Sequence, residues 1–185
     1  MPAFTIRTYG DPVLRQRASD VSELNGAVHE LVEGMVETMY AESGLAVAAP
    51  QVGVEKRLFV YDMHEGDGPK TIINPTIVDS SGEWTYDEGC LSVPGLYFTI
   101  VRPRNVVIVA QDLDGNELHI EATDLEARMF QHEIEHLDGH LLLEQLAPAQ
   151  RKAGLRILRE RQVTESGYRR GDPVVIDPDG HLVED

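Results

Sequence analysis

The sequence predicts an α+β fold in a single domain. Three observations support it: short β-like runs in the middle of the chain, an apolar helix that follows them, and a charged helix near the C-terminus. A chain of 185 residues is most simply one domain, and its apolar (42%) and charged (26%) fractions are ordinary for a folded protein.

The first predicted helix spans residues 27–40, and Gly44 follows it as a stop signal. Its apolar residues recur at helical spacing: Val28, Leu31, Val32, Met35 and Met39.

The predicted strands come next, at 57–62, 71–79 and 105–113. Pro75 interrupts the second run, which indicates an edge strand or a bulge because proline cannot donate to the ladder. A turn at 114–115 and a further β-like run after it predict a hairpin.

The second predicted helix begins at "TDLE", residues 123–126, a capping-box pattern in which Thr123 and Glu126 satisfy the first turn. We expect it to end near His136, with Gly139 as a stop, and to be buried because few of its faces are polar. The last helix is predicted at about 148–163.

The net charge of −16, from 32 acidic and 16 basic side chains, repels phosphate backbones and argues against DNA binding. No apolar run approaches the roughly 20 residues that cross a bilayer, and the first residues do not form a signal-peptide pattern. We therefore expect a cytoplasmic protein with no membrane association. One cysteine excludes an internal disulfide, which suits a reducing compartment.

The segment "QHEIEHLDGH", residues 131–140, contains an HExxH pattern. On a helix, His132 and His136 lie on one face, where two imidazoles can bind one metal ion. A solvated helix face is the alternative. It is less favoured because burying two histidines and Glu133 without partners costs several kcal/mol. We predict a metal site here.

A third metal ligand is needed. Zinc proteases of the HExxHxxGxxH type place a histidine at the position of Leu142, and Glu160 is well spaced but belongs to the charged last helix. Cys90, in "DEGCLSVPG", follows a glycine that permits close backbone approach. A thiolate and two imidazoles leave one position open for water, as in catalytic sites. We predict Cys90 as the third ligand.

Three segments, in this order and at these separations, resemble the signature motifs of peptide deformylases: "GLAVAAPQ", "EGCLS" and "QHEIEHLDG". The segment "GDPVLRQRASDV" is similar to the opening of that family, and the resemblance covers about residues 4–145. The family removes the formyl group from the formyl-methionine of nascent bacterial and organellar proteins. The resemblance implies mixed, mainly antiparallel sheets around a central helix with HExxH, and nascent formyl-methionyl polypeptides as substrate.

The resemblance also implies the metal and the catalytic residues. The ion would be Fe²⁺, which zinc, nickel or cobalt can replace. The implied ligands are Cys90, His132 and His136; the implied catalytic groups are the acid/base Glu133 and two oxyanion donors, Gln51 and the backbone N–H of Leu91.

The first motif implies substrate binding by Gly44, Leu45 and Ala46, with Leu45 and the 125–136 helix lining a methionine pocket. The chain departs from the family at three positions, where the family usually has glycine, leucine and aspartate: Ala46, Val47 and Glu135. Since side chains alternate along a strand, the Ala46 methyl group points either toward the substrate or into the core. We expect it to point into the core, because the neighbouring "AVAAP" run looks like packed core.

Two regions are expected: a catalytic domain over residues 1–165 and a tail over 166–185 with no assigned role. Seven basic residues fall within 151–170, and since some deformylases dock a C-terminal helix on the ribosome, we predict weak ribosome contact. A solvated helix face is the alternative.

Other functions are less favoured. A zinc endopeptidase of the HExxH type would leave Cys90 unbound, and a cysteine hydrolase would use it as nucleophile. A non-catalytic metal-binding homologue would not need Glu133 and Gln51.

Overall fold

The computed structural model describes residues 3–162 and 173–183, which form three α-helices and nine strands. The helices are α1 (Gly26–Ala41), α2 (Asp124–Leu137) and α3 (Pro148–Gln162). The strands are β1 (Ala46–Ala48), β2 (Leu58–Tyr61), β3 (Lys70–Ser81), β4 (Trp84–Cys90), β5 (Val93–Arg102), β6 (Asn105–Gln111), β7 (Glu117–Thr123), β8 (Val174–Ile176) and β9 (Leu182–Val183). The α+β prediction is confirmed. No helix in these ranges has the length and apolarity that a bilayer crossing requires.

The strands form two sheets, with the orders β1-β2-β3-β6-β7 and β4-β5-β8-β9. Every pair is antiparallel except β5 with β8, which agrees with the mainly antiparallel sheets that the resemblance implies. Strands β1 and β4 are edge strands, so each leaves one side of its backbone unpaired within its sheet.

Helix α2 is central and most of its residues are buried, as predicted. It packs on one face of the first sheet, and α1 packs on the other. Alternation along β1 reflects this: Ala46 and Ala48 belong to the cluster on the α2 side, and Val47 belongs to the cluster on the α1 side. A third cluster joins β5 to α3 and β8, through Phe98, Leu158 and Ile176.

Two local predictions need correction or refinement. The capping box is wrong: the Thr123 hydroxyl bonds the Asn105 side chain (2.9 Å), and Glu126 accepts from the Tyr61 hydroxyl (3.3 Å). Partners on neighbouring strands replace the local pair because β7 runs directly into α2. Pro75 lies in β3, which is an interior strand, so the edge-strand alternative is wrong. The pairing of β3 with β6 shifts register at this proline, which confirms the bulge.

Gly139 ends α2 as predicted, with φ +81°. A Cβ atom there would lie 2.9 Å from the carbonyl oxygen of Arg15, so both the backbone conformation and the close approach require glycine. The end of α2 is thereby held against the N-terminal segment, and the backbone N–H of Ala18 donates to the Leu137 carbonyl (2.8 Å).

Candidate metal centre and substrate cleft

A cleft of about 660 Å³ opens between the edge strands β1 and β4, and α2 contributes to its lining. All of the predicted site residues except His136 line it: Gly44, Leu45, Ala46, Gln51, Cys90, Leu91, His132 and Glu133. His136 is almost fully buried, one helical turn after His132. The structure therefore brings together three motifs that are far apart in the chain.

Three donor atoms converge at the base of the cleft. The Cys90 Sγ lies 3.3 Å from His136 Nε2, which lies 3.2 Å from His132 Nε2. Ligand atoms bound tetrahedrally at about 2.1 Å from one ion lie about 3.4 Å apart. These spacings and this donor set fit a metal ion.

The electrostatics of the two imidazoles also fit a cation. Burial alone would lower the pKa of His132, but the Cys90 thiolate and the Glu88 carboxylate hold it well above its usual range. Burial and the charge of His132 together lower the pKa of His136 well below its usual range. The negative groups beside His132 thus favour positive charge on that ring, and the buried His136 ring favours the neutral form that a metal ligand requires.

Glu88 orients His132 from behind. Its Oε1 lies 2.6 Å from His132 Nδ1, which leaves Nε2 directed at the other two donors. Glu88 also accepts two bonds from Arg102 (2.7 and 2.8 Å) and one from Arg128 (2.8 Å). Burial opposes ionisation of Glu88, yet the bonds from His132 and Arg102 lower its pKa well below the usual range.

Arg102 extends this ion-pair network to Glu135, with which it makes two bonds of 2.6 and 2.9 Å. These carboxylates raise the pKa of Arg102 further although burial opposes its charge. Glu88, Arg102 and Arg128 were not among the site residues predicted from sequence patterns. One signal was present for Glu88: it stands two residues before Cys90 on one strand, and so shares its face.

Glu133 is buried, and its Oε2 has no hydrogen-bond partner among the described residues. Burial raises the pKa of this carboxyl to about 7, although the charge of His132 and the backbone N–H of Ala48 oppose the shift. A carboxyl group with this pKa can accept a proton and return it near neutral pH.

The amide of Gln51 is fixed in one orientation. Its Oε1 accepts from the backbone N–H of Ala48 (2.9 Å), and its Nε2 donates to the Ser92 hydroxyl (3.2 Å) and lies 3.7 Å from Cys90 Sγ. The N–H side of the amide is therefore directed at the metal centre, where a developing negative charge would need a donor.

Leu45, Leu125 and Met129 form an apolar part of the lining, where we predicted the methionine pocket. Arg128 also lines the cleft, but its charge is committed: besides Glu88, it bonds the carbonyls of Trp84 (2.6 Å) and Ile100 (3.1 Å). This lining suits an uncharged side chain.

Other candidate ligands lie elsewhere. His140 pairs with Glu144 (2.6 Å), and Glu160 lies on an exposed face of α3. A second cluster within the described ranges, Asp177, Asp179 and His181, is in the exposed β8–β9 turn and is bonded within itself.

Comparison with known proteins agrees with this geometry. The sequence model of the polypeptide deformylase family matches residues 3–152. A peptide deformylase of Thermodesulfovibrio yellowstonii is 44% identical over 155 residues, which cover 82% of this chain and 94% of that protein. One from Thermotoga neapolitana is 40% identical over 169 residues, covering 91% and 99%.

Solved structures give the same result. The crystal structure of peptide deformylase from Ehrlichia chaffeensis in complex with actinonin has a TM-score of 0.82 and 39% identity, covering 89% of this chain and all (100%) of that one. The structure from Legionella pneumophila also has a TM-score of 0.82, with 38% identity over 85% and 94% of the chains.

Proposed function

The chain belongs to the polypeptide deformylase family, and we propose that Cys90, His132 and His136 hold its metal ion. It is a metallohydrolase that removes the N-formyl group from nascent polypeptides. The observation that carries the assignment of ligands is the convergence of the Cys90 sulfur and two imidazole nitrogens at the base of the cleft.

We propose Fe²⁺ as the resident ion, with zinc, nickel or cobalt able to replace it. Imidazole suits all of these ions, and a thiolate adds the softness that iron and zinc accept. Divalent affinity generally rises from iron to zinc, so occupancy by iron would depend on its availability rather than on raw affinity.

When bound, the ion polarises the formyl oxygen and lowers the pKa of an attacking water molecule. Glu133 accepts the proton of that water at its unpartnered Oε2 as the oxygen attacks the formyl carbon. The Gln51 Nε2 and the backbone N–H of Leu91 donate to the carbonyl oxygen as it becomes negative. One such donor contributes about 3–4 kcal/mol to the transition state.

Glu133 then delivers its proton to the amide nitrogen, and the bond between that nitrogen and the formyl carbon breaks. The products are formate and a free methionine N-terminus. Burial raises the pKa of this carboxyl, which favours the return of the proton in the second half of the cycle, where the carboxyl must act as an acid.

The test is Glu133→Gln. We expect it to keep one equivalent of metal, because Glu133 is not a ligand, and to lose formate release from formyl-Met-Ala-Ser by about three orders of magnitude. Cys90→Ala should instead lose the metal. Glu121→Gln, on the exposed side of β7, is the matched control and should do neither. Near-normal turnover by Glu133→Gln would remove this residue from the mechanism.

We also propose a cytoplasmic location, where nascent chains are made, and weak ribosome contact through the exposed basic side chains of α3: Arg151, Lys152, Arg156 and Arg159. Of the other three predicted basic residues, Arg161 is partly buried and donates to the Pro94 carbonyl (3.2 Å), and Arg169 and Arg170 lie outside the described residues. Replacing the four by glutamine should abolish salt-sensitive co-sedimentation with ribosomes. Unchanged co-sedimentation would favour the solvated-face alternative. Substitution is preferable to deletion because Leu158 and Ile176 belong to the core.

We retain residues 1–165 as the catalytic domain. The described part of the 166–185 tail pairs with that domain through β8, which lies beside β5, and β9 pairs with β8.

A further inference from the structure

The C-terminal tail, 173–183, lies beyond the residues that match the family, yet it completes the second sheet. Strand β8 pairs in parallel with β5, which places Val174 beside Leu96, Val175 beside Tyr97 and Ile176 beside Phe98. Because β5 also pairs with β4, the tail lies one strand away from the strand that carries Cys90.

Contacts with α3 hold the tail in place. Ile176 is fully buried with Phe98 and Leu158. The Gln150 side-chain amide donates to the carbonyls of both Ile176 (2.8 Å) and Thr99 (3.1 Å), which ties α3 to both strands. A buried side chain and bridging hydrogen bonds indicate a docked segment whose surface has a defined position.

Alternation then assigns a face to each tail residue. Ile176 points into the core with Phe98, so Val175 and Tyr97, which are paired partners, point to the opposite face. Tyr97 lies over Gly89 of β4: a Cβ atom on Gly89 would be 2.6 Å from the Tyr97 ring. The ring is therefore flanked by glycine on one side and by the tail on the other.

Pro173, directly before β8, lines the cleft together with Pro94 and Tyr97. Pro173 is exposed and the Tyr97 side chain is 40% exposed, whereas Glu133 and His132 are buried. Pro173 and Tyr97 thus stand at the mouth of the cleft. When the formyl group of a substrate lies at the base of the cleft, the rest of the peptide must extend to solvent through this mouth.

We propose that the tail is a substrate-selecting wall of the cleft: Pro173, and Tyr97 supported by Val175, contact the residues of the nascent chain that follow methionine. This inference rests on the proposed function. This surface consists of the pyrrolidine ring of Pro173 and the aromatic ring of Tyr97. It should therefore favour peptides of at least three residues that have apolar or aromatic side chains after the methionine.

The test compares kcat/KM for two substrates, formyl-Met-Ala amide and formyl-Met-Ala-Ser-Phe amide. We expect the native enzyme to favour the longer peptide by about tenfold, the scale of one buried apolar contact. Pro173→Ala should reduce the preference for the longer peptide from about tenfold to about threefold. Truncation after residue 172 should reduce it to about twofold or less. The loss should fall on KM for the longer peptide.

Pro178→Ala is the matched control, because this proline lies in the same tail, in the exposed β8–β9 turn, and does not line the cleft. It should keep the native ratio. If truncation unfolds the protein by uncovering the β5 edge, comparison of Pro173→Ala with Pro178→Ala still tests whether the tail selects substrates. Equal ratios in the native, Pro173→Ala and Pro178→Ala proteins would overturn the inference and leave deformylation intact. Failure of the native enzyme to release formate from either peptide would instead refute the proposed function.

Discussion

Removing the charge of Glu88 tests the ion-pair network behind the metal centre. Glu88→Gln keeps the side-chain volume, but it removes the negative charge between Arg102 and Arg128, whose side chains are only 5% and 3% exposed. The two arginines and the two carboxylates, Glu88 and Glu135, together have zero net charge. The variant therefore leaves one uncompensated positive charge in the interior. It also replaces one acceptor oxygen by an NH₂ group that cannot accept a hydrogen bond from either guanidinium.

Breaking a buried ion pair by removing one partner costs about 3–5 kcal/mol. We expect a loss near the lower end, about 3 kcal/mol, because Arg102 keeps Glu135 and Arg128 keeps two carbonyl partners. The second consequence concerns His132, which loses its charged partner at 2.6 Å. Loss of such a partner typically weakens metal affinity by about 10–100-fold.

Urea unfolding of the metal-free protein measures the first effect without a contribution from metal affinity, and competition with a chromogenic chelator measures the second. Glu83→Gln is the control, since this glutamate is exposed just before β4 and should change neither quantity. A loss of less than about 1 kcal/mol would show that the arginines do not depend on Glu88. Unchanged metal affinity would show that another contact orients His132.

Two further predictions concern positions outside the network. Ala46→Gly should lower the free energy of unfolding slightly, because Ala46 is buried in the cluster on the α2 side, and should leave kcat/KM within about threefold; a tenfold rise in kcat/KM would show that the methyl group faces the substrate. The Asn116 side chain and the backbone N–H groups of the β6–β7 turn lower the pKa of Asp112 from 3.8, so its stabilising contribution is present above that pH and is lost as the pH falls below it. The difference in unfolding free energy between the native protein and Asp112→Asn should therefore shrink between about pH 5 and about pH 3, and a constant difference would contradict the turn assignment.

The spacing of residues along the sequence by itself predicts several helices and strands of this protein and two of its metal ligands. The positions of His132 and His136 follow from the helical period. Helix α1 follows from apolar periodicity, the β6–β7 hairpin from its turn residues, and α3 from a charged segment with Pro148 near its start. These features depend on residues within a few positions of one another, so no knowledge of the rest of the fold is needed.

The tertiary structure alone decided which distant groups meet. Thr123 carries the residue type of a helix cap, yet it bonds Asn105 because β6 runs alongside β7. Glu88 finds Arg102 and Arg128 across a strand and a helix, and nothing in its local sequence marks those partners. The tail reaches the cleft because one uncovered edge of β5 was available to pair with β8. Long-range pairing depends on which edges and faces the whole chain leaves uncovered, and a local pattern carries no information about them.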